Sequence, residues 1–210
     1  LTAINQAQAE DFTVGWIGPL SGNAAVLGSD ALESVRMAFE QANANKPAGS
    51  RQLKLIVEDD QYETAKTLAA YHKLVHSQGL RILFVYTYSG LFAIAPLAEK
   101  DGVLLLDPLD CDNDVAALPS NTICVAKRTE DFGKVIASYA KNKDTLPGAV
   151  LYVGNDAFPV KTAASTREHL LALGSPPVFF ESYSAGTSDF KTMLLKAKQG
   201  GARSLFLYGY

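Results

Sequence analysis

From Phe12 onward, short apolar runs alternate with stretches in which apolar residues recur at helical spacing. The runs are rich in β-branched and aromatic residues, as in TVGWI at 13–17, ILFVY at 82–86 and AVLYV at 149–153. Such runs are typical of buried strands. Asp30 and Glu33 form a capping-box pair that predicts the start of the first helix. This alternation predicts an α/β fold in which helices cover both faces of parallel, doubly wound sheets.

The alternation occurs twice, which predicts two lobes. It restarts after TICVAKRT at 122–129, where an apolar stripe predicts a helix that buries Phe132, Val135, Ile136, Tyr139 and Ala140. We place lobe 1 at 10–128 and lobe 2 at 129–210. The last strand, SLFLY at 204–208, has no helix after it. We therefore expect lobe 2 to be incomplete, and the 210-residue piece alone to aggregate or to bind its ligand weakly.

Composition and charge narrow the class of protein. The chain is 48% hydrophobic and 20% charged, with a formal net charge of −3. It has no basic stripe, so nucleic acid is not an expected partner. No apolar run approaches the roughly 20 residues of a membrane-spanning helix, so we expect no direct membrane insertion. Residues 1–9 are either the remnant of a signal peptide, since Ala7 and Ala9 form an A-x-A pattern before Glu10, or a disordered N-terminus.

No set of catalytic residues stands out. The glycine-rich stretch GPLSGNAAVLG at 18–28 has neither the lysine of a P-loop nor the spacing of a dinucleotide fingerprint. Ser89 lies outside a nucleophile elbow, and no histidine and aspartate pair with it. The sequence therefore predicts no enzyme activity and no cofactor.

Two patterns could bind a metal, and neither is favoured. Asp110, Asp112 and Asp114 have the spacing of a calcium loop, but the glycine and glutamate that complete such a loop are missing. His72 and His76 lie four residues apart on a predicted helix, and no third ligand follows from spacing. A polar turn and a solvated helix face explain these residues better, so the sequence predicts no metal site.

Four segments in order resemble the type I periplasmic solute-binding proteins of the leucine/isoleucine/valine-binding family. They are VGWIGPLSGNAAVLGSDALESVRMAFEQANA at 14–44, LKLIVEDDQYETAKTLAAYHKLV at 53–75, AIAPLAEKDGVLLLDP at 93–108 and AGTSDFKTMLLKAKQGGARSLFLYGY at 185–210. The resemblance implies two lobes with a ligand cleft between them, and chains of this family are longer than this one.

The resemblance also implies the ligand-binding residues. Lobe 1 would contribute the loop with Ser21 and Leu27 and the ligand-hydroxyl serine position at Tyr88–Ser89. The stretch that receives a ligand carboxylate corresponds to Leu109, Asp110 and Cys111, and lobe 2 would contribute the aromatic residues Phe158 and Tyr210. Asp110 departs from the family pattern, because a carboxylate there would repel an anionic ligand group. This departure favours neutral, hydroxylated or cationic ligands.

The function implied is that of an exported, periplasmic solute-binding component of an ABC importer. It would bind a small polar metabolite, such as an amino acid or a related amide or aromatic compound, by lobe closure, and deliver it as a monomer to a membrane permease. A ligand-sensing receptor ectodomain of the same fold and an α/β enzyme are the alternatives.

Cys111 and Cys124 bracket a turn-rich loop and are expected to form a disulfide. The alternative is two buried thiols.

Overall fold

The computed structural model describes residues 11–209, so the predicted N-terminal segment 1–9 and Tyr210 lie outside the described residues. The chain forms two compact units. The first comprises the residues up to Leu109 together with Ala117–Val125, and the second comprises Asp110–Ala116 and the residues from Ala126 onward. Compared with the predicted division after residue 128, the main change of unit lies slightly earlier, and residues 110–116 join the second unit.

The first unit is a five-stranded parallel sheet with the strand order β2-β1-β3-β4-β5. Its α/β class agrees with the sequence prediction. In chain order its elements are β1 Phe12–Gly18, α1 Ala25–Asn45, β2 Leu53–Asp59, α2 Thr64–His72 with a π-helical turn at Lys73–Ser77, β3 Ile82–Val85, α3 Tyr88–Asp101, β4 Leu104–Asp107 and β5 Thr122–Cys124.

The core of the first unit surrounds its central strands. Trp16 and Ile17 of β1 and Leu83 of β3 are fully buried. The Trp16 ring stacks on Tyr86 with the ring centroids 6.4 Å apart. Gly18 lies against both aromatic side chains, where a Cβ atom would be 2.6 Å from the Trp16 ring. The end of β1 therefore needs glycine.

Helix α1 begins at Ala25, before the predicted capping box, so the prediction for its start was wrong. Ala24 occupies the N-cap position and makes no side-chain capping bond. Gly28 lets the first turn approach the backbone of Pro19, since a Cβ at residue 28 would overlap the Pro19 carbonyl oxygen. This close packing between residues nine positions apart accompanies the start of the helix, and Asp30 lies inside the helix.

The last turn of α1 is joined to the first residue of β2. The side-chain amide of Asn43 donates to the backbone carbonyl of Leu53, and the backbone amide of Leu53 donates to Asn43 Oδ1, both at 2.9 Å. Because β2 is the outer strand of this sheet, the two bonds satisfy backbone groups of Leu53 that no neighbouring strand reaches within residues 11–209.

The second unit is a three-stranded parallel sheet with the order β7-β6-β8. Its elements are α4 Asn113–Ala116, α5 Thr129–Asn142, β6 Gly148–Val153, α6 Ala157–Ala172, β7 Phe179–Tyr183, α7 Lys191–Gln199 and β8 Ser204–Tyr208. The core lies where α5 and α6 pack on one face of the sheet and contains Ala137, Ala140, Val150, Ala163, Leu170 and Phe206. Within residues 11–209, no helix is long and apolar enough to cross a bilayer.

Helix α5 forms as predicted, but most of its predicted buried face is exposed. Phe132, Val135 and Tyr139 are exposed in the part of the chain that the structure describes, with Val135 65% accessible. The helix packs on α6 through small residues instead, and a Cβ at Gly133 would overlap Ser165 of α6. Periodicity identified an apolar face, whereas close approach of two helices selected the buried one.

Candidate functional site

The strand order of the first unit places a crevice at the carboxyl ends of β1 and β3. The chain passes from β1 to β2 on one side and then crosses to β3 on the other side of β1. In open α/β sheets, ligands bind at such a reversal of strand order, beyond the carboxyl ends of the strands. The loop 19–24 and the start of α3 follow these two strands, so predicted binding residues flank the reversal.

Ser21 in the loop after β1 is held by a carboxylate at the end of β2. Its hydroxyl donates to Asp59 Oδ2 at 2.6 Å, and the amides of Leu20 and Gln61 donate to Asp59 Oδ1 at 2.8 Å and 3.0 Å. Burial alone would raise the pKa of Asp59, but these bonds outweigh it and lower the pKa. The hydroxyl proton of Ser21 is therefore used within the protein, which leaves its oxygen as an acceptor. Leu27, in the first turn of α1, is half-buried.

Three buried side chains that the sequence analysis missed fix the start of α3. The hydroxyls of Thr87 and Thr67 donate to Asp60 Oδ2 at 2.5 Å and 2.8 Å, and the amide of Tyr62 donates to Oδ1 at 2.9 Å. Burial raises the pKa of Asp60, although these bonds act in the opposite direction. The neighbouring acids at the end of β2 were the signal in the sequence for this group of side chains. The hydroxyl partners of the second acid could not be read from that signal, because they lie in α2 and just after β3.

Tyr88 and Ser89 begin helix α3 beside the crevice. Tyr88 is buried and contacts the Phe92 ring at a centroid distance of 5.0 Å, whereas Ser89 is exposed. The first intrahelical bond joins the Leu91 amide to the Thr87 carbonyl at 2.9 Å. The amides of Ser89 and Gly90 precede that bond. Amides at this position suit a carboxylate or a carbonyl oxygen.

Leu109 follows β4, at the same edge of the sheet. Its amide donates to Asp107 Oδ1 at 2.8 Å, and its side chain is half-buried. Asp107 is itself buried. This short turn fixes the backbone that the sequence analysis assigned to ligand binding.

In the second unit, Phe158 lies at the carboxyl end of β6, in the first turn of α6. Asp156 caps this helix, because its Oδ1 accepts the Phe158 amide at 2.9 Å. The strand order reverses here too, since β7 and β8 lie on opposite sides of β6. Phe158 therefore follows the central strand of the second unit, whereas Tyr210 lies outside the described residues.

Asp110 anchors the start of α5 within the second unit. Its side chain is fully buried. Thr129 donates to it twice, through its amide to Oδ1 at 2.8 Å and through its hydroxyl to Oδ2. From the family resemblance, this carboxylate was expected to face the ligand. Its geometry is that of a side chain turned into the unit.

Cys111 is fixed through its backbone and its sulfur. Its amide donates to the Lys127 carbonyl at 2.9 Å, and its Sγ accepts the Ala126 amide at 3.1 Å. Neither of the two cysteines in the sequence, Cys111 and Cys124, is a free thiol, and both are disulfide-bonded.

The remaining aspartates of the calcium-like pattern bind a lysine. Lys161 of α6 donates to Asp112 Oδ2 at 2.6 Å and to Asp114 Oδ2. These two carboxylates raise the pKa of Lys161, although its burial acts in the opposite direction. Within residues 11–209, no group of three or more histidine, cysteine, aspartate or glutamate side chains is placed to hold a metal ion.

Sequence comparison identifies one family and several relatives. Residues 11–210 match the family model described as periplasmic binding protein. The Leu/Ile/Val-binding protein of Citrobacter freundii is 22% identical over 211 residues, which cover 100% of this chain and 58% of the relative. Leu/Ile/Val-binding protein homolog 2 of Brucella abortus is 24% identical, covering 100% and 57%. The chain thus spans little more than half the length of these relatives.

Solved structures show the same fold. The solute-binding protein of an ABC transporter from R. palustris, in complex with 4-hydroxybenzoate, is 18% identical with a TM-score of 0.83, covering 95% of this chain and 54% of that protein. LivJ, a branched-chain amino acid transporter substrate-binding protein from Streptococcus pneumoniae in complex with isoleucine, is 24% identical with a TM-score of 0.84, covering 95% and 57%.

Proposed function

The chain belongs to the periplasmic binding protein family, and from this we propose that it is the extracytoplasmic solute-binding component of an ABC importer. It binds a small polar metabolite without converting it and delivers it as a monomer to a membrane permease. The observation that carries the proposal is the reversal of strand order in the first unit, where exposed Ser89 lies at the start of α3.

We propose that the ligand carries a carboxylate and is an amino acid or an aromatic acid. The amides of Ser89 and Gly90 precede the first bond of α3 and suit an anionic oxygen. The relatives of known structure named above are bound to isoleucine and to 4-hydroxybenzoate, and both ligands carry a carboxylate. Asp110 does not present its carboxylate to the ligand in this proposal, because its side chain is buried and bonded to Thr129.

The proposed binding residues have different roles. Ser89 donates its hydroxyl to the ligand, whereas Ser21 accepts, because its own proton is donated to Asp59. Leu27, Tyr88 and Phe158 supply apolar contacts. Leu109 and Cys111 shape the loop beside the ligand, because their amides already donate to Asp107 and Lys127. Tyr210 contributes an aromatic ring. Asp110 acts indirectly, by holding the start of α5.

The test is a thermal-shift screen of the full-length chain against branched-chain amino acids, hydroxybenzoates and their uncharged amides, followed by calorimetry. We expect an acid to stabilise the protein and its amide to do so less. Ser89→Ala should weaken binding about tenfold, the loss of one hydrogen bond to a charged group. Ser138→Ala, at an exposed position on α5, should bind like the wild type.

Three outcomes would contradict the proposal: turnover of the bound compound, equal binding by Ser89→Ala and the wild type, or binding of nucleic acid in place of the small molecules.

We also propose that Cys111 and Cys124 are bonded to each other. Thiol titration of the unfolded, non-reduced protein should then find no free thiol, whereas two free thiols would refute the bond.

A further inference from the structure

A cluster of two histidines, an aspartate and a tyrosine lies in the first unit at the far end of α3 from Ser89. His72 ends α2, His76 lies in the π-helical turn that follows, and Asp101 ends α3. At 1.5 Å of rise per residue, Asp101 lies about 18 Å along the α3 axis from Ser89. The cluster is therefore separate from the proposed binding site.

The four side chains form one hydrogen-bonded chain. His72 Nδ1 and His76 Nδ1 are 3.1 Å apart, and His76 Nε2 is 2.8 Å from Asp101 Oδ2. The Tyr71 hydroxyl donates to the same Asp101 oxygen at 2.8 Å. A carboxylate only accepts hydrogen bonds, so His76 donates its Nε2–H to Asp101. In the neutral ring, the lone pair of His76 is then on Nδ1, which accepts the Nδ1–H of His72 in the metal-free protein. A cation bound by both Nδ1 atoms replaces this hydrogen, and neutral His72 then carries its hydrogen on Nε2.

We propose that His72 and His76 form a two-nitrogen chelate for a borderline divalent cation, in the first place Zn²⁺, through their Nδ1 atoms. Zinc–nitrogen bonds of 2.0–2.1 Å at a tetrahedral angle place two ligand nitrogens about 3.3 Å apart, and a right angle places them about 2.9 Å apart. The observed separation of 3.1 Å lies between these values. Imidazole nitrogen suits zinc, copper and nickel.

Asp101 has the place of the carboxylate that usually supports a histidine ligand. Such a carboxylate accepts the second ring N–H, which fixes the tautomer and orientation of the ligand. Tyr71 is fully buried, and its hydroxyl holds the carboxylate in turn. The His76 side chain is 50% accessible and His72 is exposed, so water or another small ligand completes the coordination.

The charges around the cluster favour a weakly bound, exchangeable ion. Lys73 is paired with Glu58 at 2.6 Å. The positive charge of Lys100 interacts electrostatically with Asp101, and that of Arg81 with Tyr71. The hydrogen bonds from His76 and Tyr71 hold the supporting carboxylate in place. The proposal does not depend on the proposed transport function.

The experiment is calorimetric titration of the untagged, metal-free full-length chain with zinc chloride. We expect one ion per chain, with magnesium chloride giving no signal. His72→Gln and His76→Gln should each weaken zinc binding at least tenfold, and Asp101→Asn should weaken it about 10- to 100-fold. His169→Gln changes the third histidine of the sequence and should leave binding unchanged. Tyr71→Phe, which keeps both nitrogens and the carboxylate, should stay within about threefold.

Electron paramagnetic resonance of the Cu²⁺-loaded protein gives a second readout. Two equatorial nitrogens are expected in the wild type and one in each single histidine variant. Circular dichroism in the presence of a chelator verifies that each variant is folded. The proposal is overturned if zinc does not bind, if binding survives either histidine substitution, or if His169→Gln removes it.

Discussion

The two units wind in the same way but hold their central strands differently. The path β1–α1–β2–α2–β3 in the first unit matches β6–α6–β7–α7–β8 in the second. The first strand of each path lies between the other two strands of that path and is its central strand. Gly18 and Gly154 have comparable positions at the ends of these strands. The carbonyl of Gly18 accepts the amide of Asp60, just after β2, and the amide of Gly154 donates to the carbonyl of Tyr183, the last residue of β7. Two residues earlier, fully buried Trp16 corresponds to half-buried Tyr152.

The helices that follow these strands also start differently. Helix α1 begins without a side-chain cap, with Gly28 packed on Pro19, whereas the side chain of Asp156 caps α6. The shared winding thus places a crevice at the same point of each sheet, and local packing decides how firmly its loops are held. In the first unit the carboxylates of Asp59 and Asp60 also hold the loops, whereas in the second unit a side-chain cap starts the helix.

Alanine substitutions in the two central strands should show the largest difference in the free energy of unfolding. Trp16→Ala should lower the free energy of unfolding by about 3–5 kcal/mol, and Tyr152→Ala by about 1–2 kcal/mol. Urea unfolding followed by circular dichroism measures both. Leu207→Ala is the control, since that side chain is 56% accessible, and it should change stability by less than about 0.5 kcal/mol. Equal losses for Trp16→Ala and Tyr152→Ala would show that the two strands are held equally firmly.

A second pair of variants tests the starts of the helices. In Gly28→Ala the new methyl group meets the backbone of Pro19, so we expect a loss of about 2–3 kcal/mol. In Asp156→Ala only a cap is lost, which costs about 1 kcal/mol. Thermal unfolding compares the two, with Val26→Ala, at an exposed position of α1, as the control. A larger loss for Asp156→Ala would reverse our assignment.

Much of the fold was predictable from the sequence, because strands and helices leave local patterns. The apolar runs that contain Trp16 and Val150 predicted β1 and β6, and the structure has both strands. The start of α1 was missed because the contact between Gly28 and Pro19 is not a local pattern. The exposed face of α5 was missed because periodicity does not identify a partner.

The candidate site was less predictable, because its supporting bonds join distant positions. Asp110 is bonded to Thr129, 19 residues away, and Asp60 to Thr87, 27 residues away. Nothing near Asp110 in the sequence indicates that it turns inward. The positions of Ser89 and Phe158 followed from strand ends and from the family resemblance, and their role in binding remains a prediction.

The third prediction concerns the neighbouring acids Asp59 and Asp60, which have no counterpart at the end of β7. The pKa of Asp59 lies below its ordinary value of 3.8, so its stabilising contribution is present above that value and is lost as the pH falls through the folded pKa. The pKa of Asp60 lies above 3.8, so the folded state loses stability as the pH rises through the raised pKa.

Asp59→Asn and Asp60→Asn should therefore change the pH dependence in opposite directions. Relative to the wild type, Asp59→Asn should be more destabilised at neutral than at acidic pH, and Asp60→Asn less destabilised. Urea unfolding from about pH 3 to about pH 7 gives the two slopes. Slopes of the same sign would show that the two acids are not held in opposite ways.

The smallest expected effect concerns the exposed face of α5. Val135→Ser should change the free energy of unfolding by less than about 0.5 kcal/mol, because the side chain is 65% accessible. Ala137→Ser on the buried face of the same helix is the comparison and should cost more. Calorimetric unfolding of both variants shows which face of α5 contributes to the stability of the second unit.

Asn43 has a consequence for how the first sheet meets other molecules. Its side-chain amide imitates a single residue of a neighbouring strand, because it offers one donor and one acceptor to Leu53 at normal hydrogen-bond length. A foreign strand approaching β2 at this point finds those backbone groups already taken. The helix thereby blocks one position on the edge of the sheet with a single side chain, and Asn43→Leu would reopen that position to intermolecular pairing.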